Sequence, residues 1–264
     1  MSTLRRVTTP DELLRLTDGH PVAVLDIGSG LSGPGWSVED AGRAVLVPRR
    51  SDHGVPGAAV LGDEAGIDAL FADARVREWF LHSGSRHLSA PREHQHVVAR
   101  HLDLGRRGGD WDWMWTRTAP PTAPGEERVV PLHPGDREEA TAFLAAHSPT
   151  THGQPFARPG QRWVGVRDAD GALLACGGSE PSEAGTPTLA GIAVASDLRR
   201  TGLGAAVTAV LTREAVSTTG ACALGMFADN DAARSVYERL GFTTGMRWRS
   251  RWLDTQAPPP APRA

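Results

Sequence analysis

The stretch "TLAGIAVASDLRRTGLGAAV", residues 188–207, decides how the rest of the chain is read. Its first part, "TLAGIAVA", is apolar almost throughout, the pattern of a strand buried on both faces. A helix follows, because Leu203, Val207, Val210 and Leu211 recur at the spacing of one helical face. Between them lies "RRTGLG", residues 199–204. Gly202 and Gly204 let the backbone come close to a bulky ligand, and the N–H groups that open a helix have no partner within it. The positive helix end and the charges of Arg199 and Arg200 add to this. The loop from Arg199 through Arg200, Thr201, Gly202 and Leu203 to Gly204 therefore suits a phosphate or pyrophosphate. In isolation a plain glycine turn edged by solvated arginines reads the same way, so the neighbouring segments decide.

Upstream, "RVVPL" is a strand that leads through Asp136, a cap with Glu139 three residues on, into a helix with Ala140, Phe143 and Leu144 on its inner face. "RWVGVRD", a turn at "DADG" and "ALLACGG" read as an antiparallel hairpin. Downstream, "ACALGMFA" is a further strand, "DNDAARSVYERLGF" a capped helix and "GMRWRSRWL" a last strand. The element order is β-α-β-β-β-α-β-α-β, an α/β chain built on a mixed sheet.

The pattern Arg199-x-x-Gly202-x-Gly204 behind an "IAV" strand, followed at the right distance by "DNDAARSVYERLGF", resembles the GNAT N-acetyltransferase superfamily over about residues 127–254. Two motifs at the correct mutual distance are far more specific than either alone. The resemblance implies a GNAT-like acyl-CoA N-acyltransferase fold and acetyl-CoA as cosubstrate; the histidine spacing in the first half leads to no metal being expected. It implies that the central strand splays from its neighbour and offers backbone groups of Ile192, Ala193 and Val194 to the pantetheine arm. The pyrophosphate would rest on the amides of Arg199 to Gly204, and Asn230 would touch the cofactor arm. Read as a residue, Asn230 is also an ordinary helix cap.

Tyr237 is the single tyrosine of the chain, against six Phe available for simple packing. Ala233, Val236, Tyr237 and Leu240 form one apolar helix face closed by Gly241, so the ring points inward. A phenol with an ordinary pKa near 10 is protonated at neutral pH and can donate to a thiolate leaving group, the role the resemblance implies for this position. A core aromatic whose hydroxyl finds a partner is the plainer reading. The reaction implied is direct attack by a primary amine on the acetyl thioester. Attack needs a neutral amine, yet "TLAGIAVA" carries no carboxylate. Glu180, Glu183 and Asp229 read as solvated surface charges, and the base is left unassigned. Without the phenol chemistry, the same site reads as a non-catalytic acyl-CoA sensor or interaction module.

The remaining sequence bounds these expectations. The chain has 264 residues, a net charge of -3 and 40% hydrophobic residues, enough for two ordinary domains and without a global pull toward nucleic acid or an anionic membrane. No run of 18 apolar residues exists, and "MSTLRRVTTPDELLRL" is a charged helix start, so the expectation is a cytoplasmic protein. All 28 basic residues are arginine, which excludes a lysine nucleophile, a Schiff base or a P-loop lysine. Cys176 and Cys222 fall in apolar runs and read as buried thiols. Acceptors expected are small-molecule or aminoacyl amines; the oligomeric state is not legible.

The boundaries read as an N-terminal α/β domain at 1–116, a Pro/Thr/Gly linker at 117–126, the GNAT-like domain at 127–254 and a Pro/Ala-rich disordered tail at 255–264. In the first half, "TTPDELLRL" carries a capping box from Thr9 to Glu12 with Pro10 at the first helical position. "PVAVLDI", "AVLVP" and "GAAVL" read as strands, with helices near 64–74 and 91–101. "WDWMWT" closes the half as a strand with Trp111, Trp113 and Trp115 on one face. "VLDIGSGLSGPG", residues 24–35, spaces Gly28, Gly30 and Gly33 like a dinucleotide- or S-adenosylmethionine-binding turn, but a helix would have to start at the third glycine. His82, His87, His94, His96 and His101 lack metal-ligand spacing. With its tryptophan strand and Pro-rich joint, the chain looks like two-domain GNAT proteins of high-GC bacteria, which implies a diverged GNAT-like unit in the first half.

Overall fold

The computed structural model describes residues 3–50 and 54–253; the tail expected at 255–264 lies outside them. The chain packs as two compact units, Met1–Asp112 with Met246–Ala264, and Trp113–Gly245. The first begins with β1 (Arg5–Val7), α1 (Pro10–Leu16), a π-helical turn at Ala23–Ile27, β2 (Gly35–Val38), β3 (Ala44–Arg50) and β4 (Pro56–Gly62). It continues through α2 (Glu64–Ala72), α3 (Ala74–His82), β5 (His87–Pro91), α4 (Gln95–Val98) and β6 (Gly108–Thr116). The second contains β7 (Val129–Pro131), α5 (Arg137–His147), β8 (Arg162–Arg167), β9 (Leu173–Pro181) and β10 (Pro187–Val194). After these come α6 (Leu203–Thr219), β11 (Cys222–Phe227), α7 (Asp231–Arg239) and β12 (Thr243–Trp252), whose residues from Met246 on belong to the first unit.

Each unit is organised around a mixed sheet. In the first, β1 to β5 lie in sequence order, and β12 pairs antiparallel with β5 from Trp248↔Pro91 to Trp252↔His87. In the second, the order from the edge is β7-β8-β9-β10-β11, with β6 beside β11. The stretch 246–253, read from sequence as the end of the second half, therefore belongs to the first compact unit. Its apolar residues explain this, since Trp248 and Leu253 are buried there and Leu253 joins the core of Leu46, Val60, Phe71, Phe80 and Leu88.

Local signals act as expected where they are complete. Thr9 and Glu12 form the capping box at α1, Thr9 Oγ1 accepting from Glu12 N at 3.2 Å. The "DADG" turn closes β8 onto β9 with Asp168 Oδ1 accepting from the amides of Asp170 and Ala172. Asp136 differs. Its carboxylate accepts from His133 N and from Arg167 instead of capping α5, because the adjacent strand offers a guanidinium within reach. "PVAVLDI" is not a strand but helical, with Val22, Ala23 and Ile27 buried against α1 and its neighbours. A short apolar run fits either geometry, and packing chose.

The segment 117–126 packs inside the second unit: Arg213 on α6 donates to Pro120 O at 3.0 Å and pairs with Glu126, whose other oxygen accepts from Ala123 N. The second core has two faces. On one, α6 lays Leu203, Val207 and Leu211 against Val164, Val166, Leu189 and Leu224. On the other, α5 lays Ala140, Phe143 and Leu144 against Trp163, Cys176 and Ala193. No helix among the described residues is long and apolar enough to cross a membrane.

Cys176 and Cys222 are buried free thiols, and burial pushes each from 9.0 up to about 12. Because the folded values lie above the unfolded ones, the folded chain holds the protons longer, so this stabilisation is complete below about pH 9 and is lost as pH rises toward 12. The unfolding free energy is expected to fall by about 1.4 kcal/mol per thiol for each pH unit inside that window. Urea midpoints of the wild type and of Cys222→Ala between pH 8 and 11 measure this; the slope should shrink in the variant.

Candidate functional site

The site grows from one irregularity in β10. It pairs in parallel with β11 only at Thr188↔Ala223 and Leu189↔Leu224, while pairing with β9 resumes at Ala193↔Cys176 after a register shift. Gly191, at φ +66°, sits in the shift. A side chain there would place its Cβ 2.6 Å from the Trp163 ring, and the neighbouring Gly153 would meet Gly191 Cα at 2.6 Å. Backbone, indole and backbone are thus stacked with no room for a methyl group. Beyond Leu189 the edge of β10 facing β11 carries no ladder, so the strand ends splayed, with Ile192 and Val194 turned to the α6 face and Ala193 to the α5 face.

The chain then turns sharply into α6. Arg200, at φ +68°, and Gly202, at φ +94°, are both left-handed, a costly backbone for arginine. No side chain caps α6, and the Ala206 amide is the first to bond back, to Gly202 O at 3.0 Å. The amides of Leu203, Gly204 and Ala205 are left open at the positive helix end. The two arginines part company. Arg199 Nη2 donates to His147 O at the end of α5 at 2.8 Å, which fixes the loop, while the exposed Arg200 guanidinium has no protein partner among the described residues.

The corresponding entrance in the first unit is closed. Asp63 caps α2, its Oδ1 accepting from Gly66 N at 2.8 Å and its Oδ2 from Arg43 N at 2.8 Å. A carboxylate already occupies the place an anion would take. Near it lies a cleft of about 610 Å³ whose lining includes Asp18, Glu39, Asp63 and Glu93 against Arg43 and His20, chemistry that repels a diphosphate. The glycines at 28 and 30 follow a π-helical turn and lead to β2, so no strand precedes them, no helix starts after them, and the dinucleotide geometry is absent. His96 and His101 pair with Glu64 and Asp68, and no three His, Cys, Asp or Glu gather around one point among the described residues.

α7 brings the tyrosine into the α6-side core that the splayed part of β10 also joins. Asn230 caps this helix, its Oδ1 accepting from Ala233 N at 3.1 Å, so the plain reading of that residue holds and only its amide N–H₂ remains for a ligand. Tyr237 packs with Val236 against the cluster of Met226, Leu224 and Leu203, which Ile192 and Val194 also join. Its ring tilts 58° to Phe242 at 6.0 Å, and no group among the described residues hydrogen-bonds the hydroxyl. Its acidity is not ordinary: burial pushes the phenol up to about 12. The apolar wall that positions the ring is also what raises it.

Sequence reading missed the buttress beneath this site. Arg158 grips Glu180 through Nε and Nη2, and Gln161 Nε2 reaches the same carboxylate at 2.7 Å, so Glu180 is a half-buried ion-pair member and not a solvated charge. Gly191 could have been found, since glycine inside a strand marks a bulge or a close backbone approach.

Residues 129–242 match the family model described as the acetyltransferase (GNAT) family. No curated protein matches the sequence. Among solved structures, a GCN5-related N-acetyltransferase from Kribbella flavida superposes with TM-score 0.54 at 19% identity over 83% of this chain and 89% of its own. A GCN5-related N-acetyltransferase from Sphaerobacter thermophilus gives TM-score 0.55 at 14% identity over 94% of both chains. An acetyltransferase from the GNAT family from Colwellia psychrerythraea gives TM-score 0.51 at 14% identity over 96% of this chain and 100% of that one. At these identities the likeness is one of fold, and it spans both units.

The tight stack makes a quantitative prediction. Gly185 and Gly191 both have positive φ, but only Gly191 lacks room for a methyl group. Gly185→Ala is expected to cost about 1 kcal/mol, and Gly191→Ala about 2–4 kcal/mol, in urea unfolding. Equal costs would mean that the indole contact does not hold the bulge.

Proposed function

With residues 129–242 standing as a GNAT-family domain, we propose that the protein is an acetyl-CoA-dependent N-acetyltransferase acting in the cytoplasm on a primary amine, small-molecule or aminoacyl. The observation that carries the reading is the contrast between two helix entrances. α2 is sealed by Asp63, whereas α6 is uncapped, flanked by the unpaired Arg200 and set beside a strand whose edge carries no ladder. An uncapped, positive helix start is where a diphosphate is held best.

In this reading the amides of Leu203, Gly204 and Ala205 receive the diphosphate with Arg200, and Arg199 positions the loop by its bond to His147. Main-chain groups of Ile192, Ala193 and Val194 flank the pantetheine arm as a strand would. The Asn230 amide group, at the start of α7, is the side-chain donor this reading assigns to the cofactor arm. Acetyl-CoA supplies the activated acyl group, and no metal enters. The phenol of Tyr237 stays neutral across the physiological range because it is pushed to about 12. At that value it is a weak acid, so its main contribution is a hydrogen bond that strengthens as charge develops on the departing sulfur.

Two measurements test this. CoA should raise the melting temperature and S-adenosylmethionine should not, since only a ligand that binds the folded state stabilises it. Tyr237→Phe should lower kcat by about 10²-fold with the CoA-induced rise intact, because the lost interaction is made only in the transition state. Stabilisation by CoA with unchanged turnover would retire the acid role. Binding without any thiol release by the wild type would favour an acyl-CoA-binding module.

A further inference from the structure

We propose that His152 is the base that deprotonates the acceptor amine, working from the face of the sheet opposite Tyr237; this rests on the acetyltransferase reading above. β11 ends at the splay with Met226 in the α6-side cluster and the next residue, Phe227, turned to the other face and 37% exposed. The imidazole of His152 meets that phenyl ring edge-on, with centroids 5.6 Å apart and planes at 75°. The residue after it, Gly153, lies against Gly191, so the loop crosses β10 where its ladder to β11 has stopped. His152 is exposed, and through Phe227 and the Gly153–Gly191 contact it borders β10 and β11, from the face opposite the tyrosine cluster, where their ladder has stopped.

The loop is held there at three points. Ser148 N donates to Leu144 O at 2.8 Å, Gly153 N donates to Thr151 Oγ1 at 3.2 Å, and Arg158 clamps Glu180 on β9. An imidazole is basic near neutrality, which the nearby strands cannot offer, because β10 carries no titratable side chain and Glu180 is neutralised by Arg158.

The step balances as follows. An imidazole nitrogen of His152 takes one proton from the ammonium form of the acceptor, and the freed lone pair forms the N–C bond to the thioester carbonyl. The C–S bond breaks as the Tyr237 hydroxyl hydrogen-bonds the departing sulfur. The new amide nitrogen gives up its extra proton to that thiolate, and the imidazolium releases its own to water. The sum is R–NH₃⁺ and acetyl-CoA giving R–NH–acetyl, CoA thiol and one proton.

Because the acceptor is unidentified, the probes are benzylamine, which is protonated at neutral pH, hydroxylamine, which is already neutral there, and water. Thiol release from acetyl-CoA is followed for the wild type and His152→Gln at saturating cosubstrate, with CoA thermal shifts of both. His152→Gln should lose about 10²-fold with benzylamine and in hydrolysis, less than about tenfold with hydroxylamine, and keep the CoA shift. Equal rates for variant and wild type, or an equal loss with both amines, would overturn the base role and leave the acetyltransferase reading standing. A wild type that binds CoA but releases no thiol with any probe also overturns it. Absence of a CoA shift in the wild type would remove the parent reading and this one with it.

Discussion

The structure of the second unit depends on one interruption of a hydrogen-bond ladder. β10 leaves β11 after Leu189, and what keeps it from closing again is steric: Gly191, Gly153 and the Trp163 ring meet where none can carry another atom. A sheet that loses paired amides in its interior must offer them to something else or to water. Here the open edge borders the uncapped start of α6, so two sets of unsatisfied donors and acceptors converge at one place. Both deficits have the same remedy, a ligand with a polar arm and an anionic end.

The two units illustrate how little separates a binding entrance from a sealed one. Both place a short turn between a central strand and a helix, and both helix starts carry the same partial positive charge. In the first, Asp63 satisfies Gly66 N and Arg43 N together, and burying a second anion against that carboxylate would cost Coulomb energy at short range. In the second, the turn spends its geometry otherwise: a left-handed Arg200 and Gly202 leave the amides bare. The difference is one carboxylate and two left-handed residues. No change of fold is needed.

Much of this was legible from sequence because it is local. The capping box at Thr9 and Glu12, the "DADG" turn, the apolar face of α7 and the glycine-bearing loop each announce themselves within a few residues, and each stands where expected. What escaped was set by contacts between distant segments. Whether "PVAVLDI" becomes strand or helix depends on what buries Val22 and Ile27, and the run itself fits either. Residues 246–253 joined the first unit because Leu253 finds its core there and Trp248 is buried against Trp111. The acidity of Tyr237 could not be read from a helix pattern, since desolvation belongs to the whole cluster around it.

One compositional feature gains meaning only with the site in view. All 28 permanently cationic side chains are arginine, and the chain contains no lysine at all. A guanidinium stays protonated at any pH the protein meets, so it can hold a diphosphate or clamp Glu180 but cannot present a lone pair to a thioester. An acetyltransferase of the kind proposed above would therefore carry no side-chain amine to intercept its acetyl groups. Its cationic groups and its nucleophilic targets are chemically separate: charge is supplied by groups that never react, and the reacting nitrogen has to come from outside its side chains. Arg200 accordingly stands exposed beside the loop as a cation and not as an amine.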